Sequence, residues 1–195
     1  MMTNLLPCDG VVNYFPGFLD AAEADRLQET LMNEIDWASD RIKVFGKLFI
    51  TDRQVAWYAD EGLNYTYSGA QKTPKAWTNS LLEIKQKAEM FTGKKFNACL
   101  LNLYHTGEEG MGWHSDNEPE LGKDPVIVSI SLGAKRKFAF KHKHKDLKYT
   151  IELEHGSLLL MSGLTQHLWK HALLKSKRIT VHRINLTFRN IITQK

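Results

Sequence analysis

Residues 96–104 read FNACLLNLY, and the same texture returns at 126–132 (VIVSISL), 137–142 (KFAFKH), 148–153 (KYTIEL), 157–161 (SLLLM) and 178–189 (RITVHRINLTFR). These are short runs of β-branched, aromatic and aliphatic residues bounded by Gly, Asp and Pro, the pattern of strands joined by turns. No helical period alternates with them, so a two-sheet jelly roll or barrel is expected rather than a doubly wound sheet. Toward the N-terminus the period changes. After FPGF at 15–18, Asp20 can cap a helix and Glu23 completes a capping box, with Ala24, Leu27, Leu31 and Ile35 at helical spacing. A second helix is predicted to start at Thr73 and Pro74, to carry Trp77, Leu81, Ile84, Ala88 and Phe91 on one face, and to stop at Gly93. Residues 36–72 have weak periodicity and are expected to form hairpins. The chain therefore reads as one α+β domain over 1–195. Residues 1–95 supply a helical buttress, and 96–192 form the jelly-roll core.

A hydrophobic content of 43% over 195 residues is enough for one well-buried core. No apolar stretch approaches the roughly 20 residues that a membrane span needs, and no secretory signal pattern is present, so a soluble protein is expected. Cys8 and Cys99 allow at most one disulfide, which favours a reducing interior. A net charge of +4 and a pI near 9.0 suit an anionic partner. The basic residues gather at 135–148, KRKFAFKHKHKDLK, where Asp146 is the single acid. Charge alone leaves phosphate binding and a solvated strand equally open there.

His114 and Asp116 form an H-x-D pair after the Gly-rich stretch TGEEGMGW, with both side chains on one face of an extended segment. A third ligand can come from His167 or His171 in QHLWKH. Two His and one carboxylate on a β scaffold make the facial triad of non-haem iron oxygenases, which leaves positions open for a cosubstrate and dioxygen. In the last run, alternation puts Arg183, Asn185, Thr187 and Arg189 on one face and Ile184, Leu186 and Phe188 on the other. The two arginine backbones stand about 20 Å apart at roughly 3.3 Å per residue, and their side chains reach inward to leave a gap the length of a small dicarboxylate. A guanidinium fork grips carboxylate bidentately, so one arginine can hold the far end of 2-oxoglutarate while the other supports the metal end or Asp116.

These residues resemble the AlkB family of nucleic-acid dealkylating dioxygenases, and most closely its double-stranded-DNA repair branch. The resemblance runs from about Val44 to Ile191. It rests on NxY at Asn102 and Tyr104, HxD at His114 and Asp116, HGS at His155 to Ser157, WxH at Trp169 to His171, and RxNxTFR at Arg183 to Arg189. It implies a double-stranded β-helix core with a hairpin substrate lid, and iron(II) held by His114, Asp116 and His171. It further implies 2-oxoglutarate bound by Asn102, Tyr104, Arg183, Asn185 and Arg189, with dioxygen as the oxidant. The implied reaction is oxidative demethylation of bases such as 1-methyladenine and 3-methylcytosine, with release of formaldehyde.

For substrate handling, the resemblance implies that Phe45 in VFGK is an intercalating wedge beside Lys47, and that Tyr65 and Tyr67 form a lid stacking on a flipped base. Glu118 would read the base edge, Arg53 would add a base or backbone contact, and the basic stretch, including Lys141 and Lys143, would grip the opposite strand. DNA, duplex or single-stranded, is the expected partner, with no membrane and a monomeric enzyme, cytoplasmic in a bacterium or nuclear in a eukaryote. The same chemistry on RNA or a protein substrate is the alternative.

Overall fold

The computed structural model describes residues 3–44, 47–63, 65–67, 70–72 and 74–192. Its strands are β1 (Val11–Phe15), β2 (Ala38–Val44), β3 (Lys47–Ala59), β4 (Tyr65–Tyr67), β5 (Ala70–Lys72), β6 (Ala98–Tyr104), β7 (Met111–His114), β8 (Ile127–Gly133), β9 (Arg136–His142), β10 (Lys148–Leu153), β11 (Ser157–Ser162), β12 (Trp169–Leu173) and β13 (Arg183–Arg189). Its helices are α1 (Ala21–Glu34), α2 (Asn79–Thr92) and the single turn α3 (Thr165–Leu168). A seven-stranded sheet runs β1-β11-β8-β13-β6-β3-β2, a four-stranded sheet runs β10-β9-β12-β7, and β4-β5 stand apart. Among the described residues the pairings between these strands are all antiparallel. This is the jelly roll expected from the strand pattern, and the hairpins expected within 36–72 are β2-β3 and β4-β5.

β13 lies inside the large sheet, paired on one side to β6 and on the other to β8. One of its faces sends Ile184, Leu186 and Phe188 into a core shared with Leu27 and Leu31 of α1 and Leu81 and Ile84 of α2. Each of those side chains contributes about 1.5–3 kcal/mol by leaving water. That sandwiching fixes the register, because a slip of one residue would carry the arginines into the helical layer. The opposite face turns toward the small sheet, where Phe138, Phe140, Trp169 and Leu173 form a second core.

The N-terminus of α1 is capped as expected, with Asp20 accepting from the Glu23 N–H at 2.8 Å. Glu23 does not close the box; its carboxylate pairs with Lys87 of α2. α2 starts later than predicted, at Asn79 with Thr78 as cap. Lys75 instead exchanges backbone hydrogen bonds with β3, donating to Trp57 and accepting from Ala59. The Trp77 indole donates to Asp60 at 2.7 Å and its ring stacks over Phe188. These tertiary contacts hold the segment before Asn79 extended against its helical periodicity. Gly93 ends α2 in the left-handed region, as expected. The sequence pattern missed β1, β7 and β12, and of the 178–189 run only Arg183–Arg189 is strand. Both cysteines are free thiols, Cys99 fully buried in β6. Among the described residues no helix is long and apolar enough to cross a membrane.

Candidate metal centre and cosubstrate cleft

β7 and β12 pair so that His114 and His171 are direct cross-strand partners, and Asp116 follows two residues after β7. The ligand atoms of His114, Asp116 and His171 all lie within 4.8 Å of one another. His114 Nε2 is 3.7 Å from Asp116 Oδ1, and His171 Nε2 is 4.0 Å from Oδ2. His114 Nδ1 sits 2.8 Å from the Gly112 carbonyl, to which it donates, so the Nε2 lone pair faces the cluster. His171 is buried against the ring of Phe138. Burial, with the charge of His114 behind it, pushes the His171 imidazole down to about 3 and keeps it neutral as a ligand must be. Burial works to raise Asp116, but Arg189 first and then both histidines hold its carboxyl at about 2. These groups fit a hard or borderline divalent cation such as iron(II).

Two further contacts fix the triad. Arg189 Nη2 is 3.1 Å from Asp116 Oδ2, and Gln166, fully buried, accepts from the Asp116 N–H through its side-chain oxygen at 3.0 Å. His167, the other candidate third ligand, is exposed and pairs instead with Asp124 at 3.1 Å.

The inner face of β13 continues from the triad into a cleft lined by Asn102, Tyr104, Arg183, Asn185, Thr187 and Arg189. Arg183 is 2% exposed and donates to Ser131 Oγ at 2.9 Å. Among the described residues no carboxylate lies within salt-bridge distance of it. Burial lowers its guanidinium to about 10, Arg136 adding to the effect and Tyr104 opposing it. Asn102 accepts from Arg53 at 2.9 Å, so Arg53 lies buried behind two cleft-lining residues, also touching Met111 Sδ. The Asn185 amide donates to Ser129 Oγ and the Ile130 carbonyl and accepts from Thr187, so its hydrogen bonds are made within the sheet. Three candidate metal ligands at one end and a buried cation at the other suit a bidentate 2-oxo acid with a distal carboxylate.

Of the substrate candidates, Phe45 lies outside the described residues, and Tyr65 and Tyr67 are described only as backbone of β4. Glu118 precedes the 3-10 turn Pro119–Leu121, and burial, with the nearby Asp116 charge, pushes its carboxyl up. Lys141 lies on the outer face of the small sheet, its Nζ 4.7 Å from the centre of the exposed Trp113 ring. Lys143 turns back to donate to the Gln166 carbonyl at 3.0 Å.

Sequence reasoning missed four residues here: Gln166, Arg136, Lys170 and Trp113. Strict alternation in KRKFAFKH carried the signal for Arg136, which shares the buried face with Phe138 and Phe140. Lys170, between Trp169 and His171, must point outward, and it stands directly opposite Lys141, which in turn faces Lys148. Three like charges in one cross-strand row repel one another and are relieved by a polyanion.

The chain matches the 2OG-Fe(II) oxygenase superfamily over residues 11–189. It is 39% identical to the DNA oxidative demethylase ALKBH2 of Mus musculus, across 97% of this chain and 82% of that protein. Against the Bos taurus protein of the same name the identity is 38%, over 88% of this chain and 66% of the other. The Bos taurus alpha-ketoglutarate-dependent dioxygenase alkB homolog 3 is 39% identical, over 90% of this chain and 64% of that protein. The chain thus spans about two thirds of the length of the cattle relatives. In fold it is similar to the solved structure of OsALKBH1, with a TM-score of 0.60 and 19% identity over 95% of this chain and 99% of that one. A 2OG-Fe(II) oxygenase family protein from Burkholderia pseudomallei gives a TM-score of 0.61 at 14% identity, over 91% and 84% of the two chains.

Proposed function

Because this chain belongs to the 2OG-Fe(II) oxygenase superfamily, and within it to the DNA-repair branch of the AlkB family, we propose that it removes methyl groups from 1-methyladenine and 3-methylcytosine in DNA. The observation that carries the reading is the pairing, in one cleft, of a His-Asp-His cluster with a buried arginine that lacks a carboxylate partner among the described residues. A buried cation is costly unless an anion neutralises it, and 2-oxoglutarate brings one.

His114, Asp116 and His171 would hold iron(II), which supplies the oxidation that places one atom of dioxygen in succinate and the other on the methyl carbon. Arg183, with Tyr104 and Asn102 beside it, receives the distal carboxylate and so sets the depth of the 2-oxo acid. Arg189 and Gln166 keep Asp116 charged and aimed. Asn185, held by Ser129 Oγ and by the Thr187 hydroxyl, lines the cleft and would add a further contact to the 2-oxo acid. Phe138 exclude water from the imidazole of His171 together with Phe140. The hydroxymethyl base formed at the methyl carbon collapses to formaldehyde and the restored base.

The target base must leave the helix to reach this cleft. Phe45 would fill the gap as a wedge, Tyr65 and Tyr67 would cover the base, Glu118 would meet its edge, and Lys141 with Lys170 and Lys148 would face the backbone. A duplex substrate, a monomeric enzyme and residence where the genome lies complete this reading. The test is incubation with iron(II), ascorbate, 2-oxoglutarate and an oligonucleotide carrying one 1-methyladenine, in duplex, single-stranded DNA or RNA form, followed by mass spectrometry. Loss of the methyl mass by wild type and not by His171→Ala, fastest on the duplex, supports the proposal. Faster loss on RNA, or succinate formation without any demethylation, overturns its substrate.

A further inference from the structure

Arg136 of β9 is 1% exposed, yet among the described residues it has no carboxylate at salt-bridge distance. Its guanidinium instead caps backbone carbonyls: Thr106 at 3.2 Å, Gly107 at 3.3 Å, Glu109 at 2.6 Å and Leu174 at 2.9 Å. Carbonyl oxygens accept from its Nη groups but carry no full negative charge, and the Glu109 carboxylate acts on the guanidinium only from beyond salt-bridge distance, so the buried positive charge is only partly compensated. The guanidinium carbon also lies 5.8 Å from the centre of the Tyr104 ring, and that of Arg183 lies 5.6 Å from the same centre. Two buried cations therefore share one phenol ring, no more than about 11 Å apart.

We infer that Arg136 is a positioning residue for the cosubstrate: it tunes the cleft for a dianion by adding a second positive charge behind Tyr104 and Arg183. It does so without touching the ligand. Its carbonyl caps tie the loop after β6, which carries Tyr104, to the end of β12, which carries His171. The same junction is closed by Gly107, whose N–H donates to Ile179 and whose carbonyl accepts from Ser176, each at 2.7 Å. A β-carbon at Gly107 would meet the Ser176 oxygen at 2.1 Å, so the loop has a single seating. The inference rests on the proposed binding of 2-oxoglutarate in this cleft, and deepens it by stating which charge state the cleft selects.

The test compares two ligands that share the 2-oxo acid end and differ in the distal carboxylate, 2-oxoglutarate and 2-oxobutyrate. Each is titrated by calorimetry into the full chain loaded with redox-inert zinc(II), as wild type, Arg136→Met and Arg136→Lys, with circular dichroism to verify folding. A unit charge acting across about 10 Å at an effective dielectric of about 20 changes dianion affinity by roughly tenfold. Arg136→Met should weaken 2-oxoglutarate by about tenfold and 2-oxobutyrate by less than about threefold, and Arg136→Lys should restore most of the difference. Equal weakening of both ligands, or a lysine variant as poor as the methionine one, overturns the inference and leaves Arg136 a scaffold residue. Should Arg136→Met not fold, Arg136→Gln carries the same comparison. If wild type binds neither ligand, the reading of the cleft itself falls, an outcome distinct from wild-type binding that Arg136 does not influence.

Discussion

Replacing Arg189 with Met takes the guanidinium away from Asp116 and leaves a carboxylate that is 2% exposed beside two histidines. The ion pair it breaks is 3.1 Å long, with both side chains at 3–4% exposure. Removing one partner of such a pair costs about 3–5 kcal/mol, because the remaining charge keeps its desolvation penalty. For a chain of this size that is a fall in Tm of about 6–20 °C, at about 2–4 °C per kcal/mol. The assay is thermal and urea unfolding of metal-free protein by circular dichroism, with Asp116→Asn and the double variant completing a cycle. The double variant should lose less than the two single losses added, by about 1–3 kcal/mol, since it leaves neither charge behind. A single-variant loss below about 1 kcal/mol, or strict additivity, would refute the idea that Arg189 neutralises Asp116.

Gln166→Leu removes the acceptor for the Asp116 N–H while keeping the packing, so metal-free stability should fall by about 1–3 kcal/mol and iron affinity should fall with it; unchanged iron affinity in a dialysis competition would contradict the assignment. Glu89 is held at about 2, burial opposing and Lys95, the Phe96 N–H and Lys85 prevailing. Its folded value lies below the ordinary glutamate value of 4.5, so its stabilisation is complete above that pH and is lost as pH falls toward 2. Glu89→Gln should therefore lose on the order of 2 kcal/mol at pH 7 and almost nothing at pH 2 in urea titrations. An equal loss at both pH values would show that packing rather than charge is responsible. Lys170→Glu should weaken duplex binding several-fold at low salt and reduce the slope of log affinity against log salt by about one, in fluorescence anisotropy. No change in slope would remove the lysine row from the interface.

Much of this was legible because two periodicities do different work. Period two in RINLTFR separates the cleft-facing Arg183, Asn185, Thr187 and Arg189 from the helix-facing Ile184, Leu186 and Phe188, and the structure keeps that division. The HxD pair and the two candidate histidines of QHLWKH were visible as residue types, but spacing alone left both open. Cross-strand register decides for His171, since it stands opposite His114. The start of α2 was misplaced because the contacts of Lys75 and Trp77 with distant strands are tertiary and leave no local mark. β7 and β12 are too short for alternation to stand out, yet together they carry two of the three candidate metal ligands. Arg136 was submerged in a basic run, where its burial depends on a pleat that charge counting ignores.

The measurement that tests the account most directly is an anaerobic titration of the iron(II)-loaded chain with 2-oxoglutarate, following the visible charge-transfer absorption of an iron-chelated 2-oxo acid. Wild type should develop the band to saturation with one equivalent of cosubstrate per iron. His171→Ala should not develop it, and Arg183→Met should need at least about tenfold more 2-oxoglutarate, consistent with loss of a buried charge-assisted contact. A wild-type protein that binds iron without the band, or an Arg183→Met variant that titrates like wild type, would contradict the central claim that the triad and the buried arginine grip the two ends of one cosubstrate.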